Sequence, residues 1–102
     1  MNASYKTVMM KPQDSVAVAL EDIPAGAELT VVSQGQTFTV VLADPIEFGH
    51  KFAVRPIRQG DDIVKYGEAI GVAVTDIAPG QHVHVHNLEG KRGRGDLGAT
   101  AG

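Results

Sequence analysis

Apolar residues occur along the chain in short bursts, and each burst ends at a glycine, a proline or a polar turn former. "SVAVAL" (15–20), "QTFTVVL" (36–42), "KFAV" (51–54), "DIVK" (62–65), "AIGVAV" (69–74) and "HVHVHNL" (82–88) are rich in Val, Ile and Thr. No clean window repeats with the 3.6-residue period of a helix. Short β-branched runs bounded by turns predict the strands of an all-β domain. In "SVAVAL", alternation places Val16, Val18 and Leu20 on one side and two alanines on the other. The runs are too short for a regular sandwich, so a small irregular β-domain with many short strands and long-range pairings is expected.

One motif recurs within this pattern. "DIPAGAEL" (22–29), "PIEFGHKF" (45–52), "PIRQGDDI" (56–63) and "DIAPGQHV" (76–83) each read apolar, two residues, glycine, two residues, apolar. The spacing predicts a tight turn whose glycine takes positive φ, followed at once by a new strand. Flanking apolar residues such as Ile23 and Leu29 should anchor both ends of each turn in the core. The copies are irregularly spaced, which excludes a solenoid.

Composition narrows the class. A chain of 102 residues favours one compact domain, and 43% hydrophobic residues favour folding over disorder. The formal charge of −3 argues against a dedicated nucleic-acid binder. With no cysteine, disulfides, thiolate metal sites and thiol nucleophiles are excluded. The first residues do not form a signal peptide, and no apolar run approaches the roughly 20 residues that span a bilayer. A soluble cytoplasmic protein with no membrane partner is expected. From Glu89 the text changes to "EGKRGRGDLGATAG", with five glycines and Leu97 as its sole large apolar residue. That composition predicts a folded domain over 1–88 and a flexible glycine-rich tail over 89–102.

Candidate chemistry gathers in three strings. "GQHVHVHNL" (80–88) places His82, His84 and His86, three of the four histidines, at i, i+2 spacing. On a strand the imidazoles share one face, while Val83 and Val85 point into the core. A rise of about 3.3 Å per residue starts neighbouring imidazoles about 6.6 Å apart and His82 about 13 Å from His86. At most two neighbours can then share an ion, and a solvated edge strand is the plain alternative. "FGHKFAV" places His50 and Lys51 at the start of a strand, just after Gly49. "DIVKYGEAIGVAV" places Lys65 and Tyr66 just before a turn at Gly67. Lysine and histidine at such junctions bind carboxylates or move protons. A surface lysine beside a half-buried tyrosine is the ordinary alternative.

Together "GHKFAV", "DDIVKYGEAIGVAVTDIAPG" and "QHVHVHN" resemble the amino-terminal domain of altronate dehydratases. The wider group includes galactarate dehydratase and the alpha subunit of sulfolactate sulfo-lyase. The resemblance covers nearly the whole folded region and implies a SAF-type β-clip fold. It also implies part of a lyase that removes water from a sugar acid next to its carboxylate, with a divalent metal, iron(II), as cofactor. It assigns catalytic roles to His50, Lys51, Lys65 and Tyr66, and metal binding to His84 and His86. The long second part of fused members is missing here, so the resemblance implies a small subunit, inactive alone, that docks on a large catalytic chain. Self-association is also compatible. The competing expectations are a sulfolactate sulfo-lyase alpha subunit, a sugar-acid or metal-binding module without chemistry, and a purely structural interaction domain.

Overall fold

The computed structural model describes residues 5–90, so the expected glycine-rich tail from 91 onward lies outside the described residues. Nine strands appear in order: β1 (Thr7–Val8), β2 (Val16–Ala19), β3 (Glu28–Ser33), β4 (Gln36–Val41), β5 (Lys51–Ala53), β6 (Asp62–Lys65), β7 (Glu68–Ala73), β8 (His82–Val83) and β9 (Leu88–Gly90). The described residues contain no helix, so none is long and apolar enough to cross a membrane. β9 pairs with β7 and carries ordered chain two residues past the expected boundary at 88.

The four copies of the motif build the fold in pairs. Ile23 and Ile46 exchange both backbone hydrogen bonds, at 2.8 and 2.9 Å, and so do Ile57 and Ile77, at 2.9 and 2.7 Å. Each glycine N–H donates to the carbonyl four residues before its partner isoleucine: Gly26 to Leu42, Gly49 to Ala19, Gly60 to Ala73 and Gly80 to Ala53. All four glycines take positive φ, between 88° and 91°. Within each pair the chain runs out and back through a tight hairpin, β3–β4 at Gln34-Gly35 and β6–β7 at Tyr66-Gly67. Both central residues of each hairpin have positive φ, the type I′ geometry whose twist matches the strands. The molecule is therefore two clips of one design, residues 23–49 and 57–80.

The clips are joined by an antiparallel four-stranded sheet in the order β1-β2-β5-β8. Its two faces meet different cores. Ala17, Ala19 and Phe52 face the first clip's cluster with Ile23, Leu29 and Ile46. Val16, Ala53 and Val83 face the second clip's cluster with Ile57, Ile63 and Ile77. This explains why all four residues of β2 are buried, whereas a one-sided strand would alternate. Leu20 lies just beyond β2 and is 44% exposed. The clips touch at Gly80, where a Cβ would lie 2.1 Å from the Val41 carbonyl oxygen of the first clip.

Candidate functional site

The second copy of the motif in each clip leads into a strand of the central sheet, β5 or β8. These strands pair in the register Lys51↔Val83 and Phe52↔His82. His50 and His82, distant in sequence, thus become neighbours: His50 Nδ1 lies 2.9 Å from His82 Nε2. The other nitrogen of His50 is 3.8 Å from the Glu47 carboxylate.

The expected histidine strand over 82–88 forms only in its first two residues. β8 ends at Val83 and residues 84–87 curl into turns. Asn87 causes this: its Oδ1 accepts from the His84 N–H at 3.0 Å and its Nδ2 donates to the His82 carbonyl at 2.9 Å. A side chain that satisfies the backbone locally competes with the strand ladder. Val83 is buried as expected, but Val85 is 77% exposed instead of entering the core. The curl folds His84 back, so its ring centroid lies 5.1 Å from that of His50 and 5.5 Å from that of His82. The His86 ring lies 5.5 Å from the His82 ring, far closer than a straight strand allows.

One nitrogen from each of His50, His82 and His84 falls within a group spanning no more than 4.8 Å. Bonds near 2.1 Å place two ligands of one ion about 3 Å apart when adjacent and about 4.2 Å apart when opposite. The span of the cluster is thus close to that of the ligands of one ion. Neutral imidazoles suit iron(II) and zinc alike, so the donor set fits a first-row divalent metal. Burial holds the His82 pKa below its ordinary value, helped by repulsion from His50, His86 and His84 and opposed by Asp44. That direction favours the neutral imidazole. Asp44 Oδ2 also accepts the His82 backbone N–H at 3.0 Å, which fixes the start of β8.

Lys51, Lys65 and Tyr66 form a separate group. Alternation along β5 puts Lys51 on the face of Ala53 and Val83, opposite to Phe52 and His82. The pKa of Lys51 is lowered by burial and then by the nearby Lys65 ammonium. Lys65 Nζ sits 5.0 Å from the centre of the Tyr66 ring, within cation–π range. Tyr66 has φ of 55°, a left-handed conformation costly for a bulky residue. Asp14, fully buried, holds that turn: its carboxylate accepts from the N–H groups of Tyr66, Gly67 and Lys11 at 3.0, 2.8 and 3.1 Å.

Metal binding was expected at His84 and His86 and catalysis at His50, whereas the nitrogens that gather are those of His50, His82 and His84, with the His86 ring beside His82; sequence reasoning also missed the three residues that place side chains at these sites. Asn87 carried a signal, since asparagine after an alternating run is a turn former. Asp44 carried a weaker one in the pair Asp44-Pro45. Asp14 gave no sign of its hold on the turn, because Tyr66 and Gly67 lie about fifty residues away.

Comparison with known proteins gives a consistent answer. Residues 5–91 match the family model described as the altronate/galactarate dehydratase SAF domain. The chain is 49% identical to the altronate dehydratase of Escherichia coli over 72% of this chain and 14% of the relative. It is 41% identical to that of Bacillus subtilis over 80% of this chain and 16% of the relative. The chain therefore spans about one-seventh of the altronate dehydratases it matches. It is also 39% identical to the (2R)-sulfolactate sulfo-lyase subunit alpha of Chromohalobacter salexigens, over 87% of this chain and 98% of that subunit. A β-clip of this construction, matched along nearly all its described length, belongs to the altronate/galactarate dehydratase SAF domain family.

Proposed function

We propose that this domain forms one wall of a lyase active site that a larger catalytic chain completes, and that the reaction is dehydration of a sugar acid. The observation that carries the reading is the convergence of His50, His82 and His84 from two separate segments of the chain onto one partly exposed patch. Their neutral nitrogens would hold a divalent metal, iron(II) by family resemblance. When bound, the metal would supply Lewis-acid stabilisation of negative charge developing beside the carboxylate. The chain's own contribution is positional. Asn87 aims His84, Asp44 fixes the backbone of His82, and the β5–β8 pairing sets His50 against both. Lys51 lies on the opposite face of β5 from Phe52 and His82, beside Lys65.

A partner is part of the proposal because the patch is open on one side: His84 and Val85 are exposed, while an efficient site excludes water. The altronate dehydratase relatives carry more than five-sixths of their length outside the matched region. A second reading, a sulfo-lyase subunit, is favoured by the match along 98% of the sulfo-lyase alpha subunit.

The test is reconstitution. The chain alone should show no turnover, and mixing it with the large catalytic chain should restore it. His84→Ala should cut the restored rate by about 100-fold, the scale of losing a metal ligand or its support, with an unchanged circular dichroism spectrum. Full turnover with that variant would refute a role for the imidazole cluster.

A further inference from the structure

The two clips differ at the outer edge of their hairpins. In the second clip β9 lies along β7, in the register Gly71↔Gly90, Val72↔Glu89 and Ala73↔Leu88, so that hairpin belongs to a three-stranded sheet. In the first clip the equivalent strand, β4, pairs with β3 alone among the described residues.

The ladder determines which groups that edge offers. The Gln34-Gly35 turn closes on Ser33↔Gln36, and hydrogen-bonded pairs then alternate at Val31↔Phe38 and Leu29↔Val40. The bond from the Leu42 N–H to the Ala27 carbonyl, at 2.9 Å, continues the same alternation. Thr37 and Thr39, both exposed, fall between these pairs, so their N–H and C=O groups point away from β3. Such an edge is a template for another strand, and proteins guard against it with charge, proline or a bulge. β4, "QTFTVV", has none of these, whereas β6 carries Asp62 and Lys65, and β1 and β8 are only two residues long. The hairpin is also held in place: Val31 and Val40 are buried in the core, and Gln34 Nε2 donates to the Met10 carbonyl at 3.2 Å.

We propose that a second copy of this chain occupies the edge, with the two β4 strands antiparallel across a two-fold axis at Phe38. In that register Thr37 of each copy faces Thr39 of the other, and each such pair exchanges both of its outward hydrogen bonds. The edge is thus its own complement: threonine meets threonine, and no charged side chain of β4 faces its like. Phe38, packed at the border of the first clip's core, meets its own copy at the closely spaced, non-hydrogen-bonded position. Two marginal two-stranded hairpins become one continuous sheet, β3-β4-β4-β3. The register stops short of Val41, whose carbonyl is covered by Gly80. A two-fold contact of this kind closes on itself and gives a dimer instead of a fibre. It uses none of the imidazoles, so it goes beyond the lyase reading and does not depend on it.

Sedimentation velocity of the full chain from about 10 μM to about 1 mM, the range in which a small edge contact is populated, should show a monomer–dimer equilibrium. Thr39→Pro removes an edge N–H and leaves the ladder with β3 intact, so it should raise the dimer Kd at least about tenfold. If the proline variant loses its fold, Thr39→Lys serves, since it sets like charges beside the axis and spares the backbone. Phe38→Cys supplies the sole thiol of a cysteine-free chain, and its Cα should lie about 4.5 Å from that of its copy, within disulfide reach. Mild oxidation should cross-link Phe38→Cys at least about tenfold faster than Val32→Cys, an exposed position on the strand away from the axis. A chain that stays monomeric throughout, including one whose β4 edge pairs only with a strand of the large catalytic chain, would overturn the proposal. So would a dimer unmoved by the Thr39 variants, or equal cross-linking at the two positions.

Discussion

The clip built on Ile23 and Ile46 and the clip built on Ile57 and Ile77 repeat the same backbone hydrogen bonds but carry different side chains after their glycines. The first copy in each clip, Ala27-Glu28 or Asp61-Asp62, leads into an outer hairpin. The second copy, His50-Lys51 or Gln81-His82, leads into the shared central sheet. Imidazoles thus occur where the two clips are paired together, and the hairpin ends lack them. The repeat makes the scaffold and the seam makes the site. Neither clip alone could bring His50 to 2.9 Å from His82, because each supplies one of the pair.

The sharpest way to break that comparison is to treat equivalent glycines alike. Gly60 and Gly80 occupy the same place in their motifs and have the same φ of 91°. A Cβ on Gly60 would meet nothing within 4 Å, whereas one on Gly80 would overlap the Val41 carbonyl of the other clip. Gly60→Ala should cost about 1 kcal/mol, for the left-handed backbone alone. Gly80→Ala should cost about 4 kcal/mol or more, because the seam must open to admit a methyl group. Urea unfolding of both variants measures the difference. Equal midpoints would mean that the clips do not meet tightly at Gly80.

A smaller effect should follow from Asn87, which shapes the second clip's histidine loop and has no counterpart in the first. Asn87→Ala removes two hydrogen bonds around a buried side chain, a loss of about 2 kcal/mol in stability. It should also weaken binding of cobalt(II) or iron(II) by at least about tenfold, since an outer residue that orients a ligand acts through it. Anaerobic titration followed by visible absorption would read this. Unchanged affinity would show that His84 finds its place without the curl.

These residues also mark how much was legible in the sequence. The four-copy motif was readable because a turn glycine and its flanking apolar residues are local features, and all four isoleucines are buried as expected. The pairing of copies was not readable, because Ile23↔Ile46 and Ile57↔Ile77 depend on closures over twenty residues or more that leave no local trace. The histidine string misled for a different reason. Its alternation is that of a strand, but alternation states only a preference, and one asparagine outweighs it after two residues. Lys51 and His50, adjacent in sequence, also part company, because alternation along β5 puts Lys51 opposite to Phe52 and His82.

The finest test of the comparison uses Lys51 and His82, which stand two residues after the glycine in their respective copies. Both pKa values are lowered, first by burial and then by like-charged neighbours. A lowered folded-state pKa means that the unfolded chain binds the proton more readily, so stability rises with pH between the folded and unfolded values. For His82 that window lies below 6.5: the imidazole costs nothing at pH 7, and destabilisation appears as pH falls through it. For Lys51 the window lies below 10.5: the cost of the buried charge is full below the folded value and fades as pH rises toward 10.5. Lys51→Gln should therefore raise the urea midpoint at pH 7, and its advantage should shrink as pH approaches 10.5. His82→Gln should flatten the acid limb below 6.5 and gain nothing from this term at pH 7. Solvent screening keeps each effect below about 1 kcal/mol, but their pH dependence differs in position, and that separates them. A midpoint difference between Lys51→Gln and the unaltered chain that stayed constant up to pH 10.5 would show that packing, and not the cost of a half-buried charge, sets the behaviour of the first clip's amine.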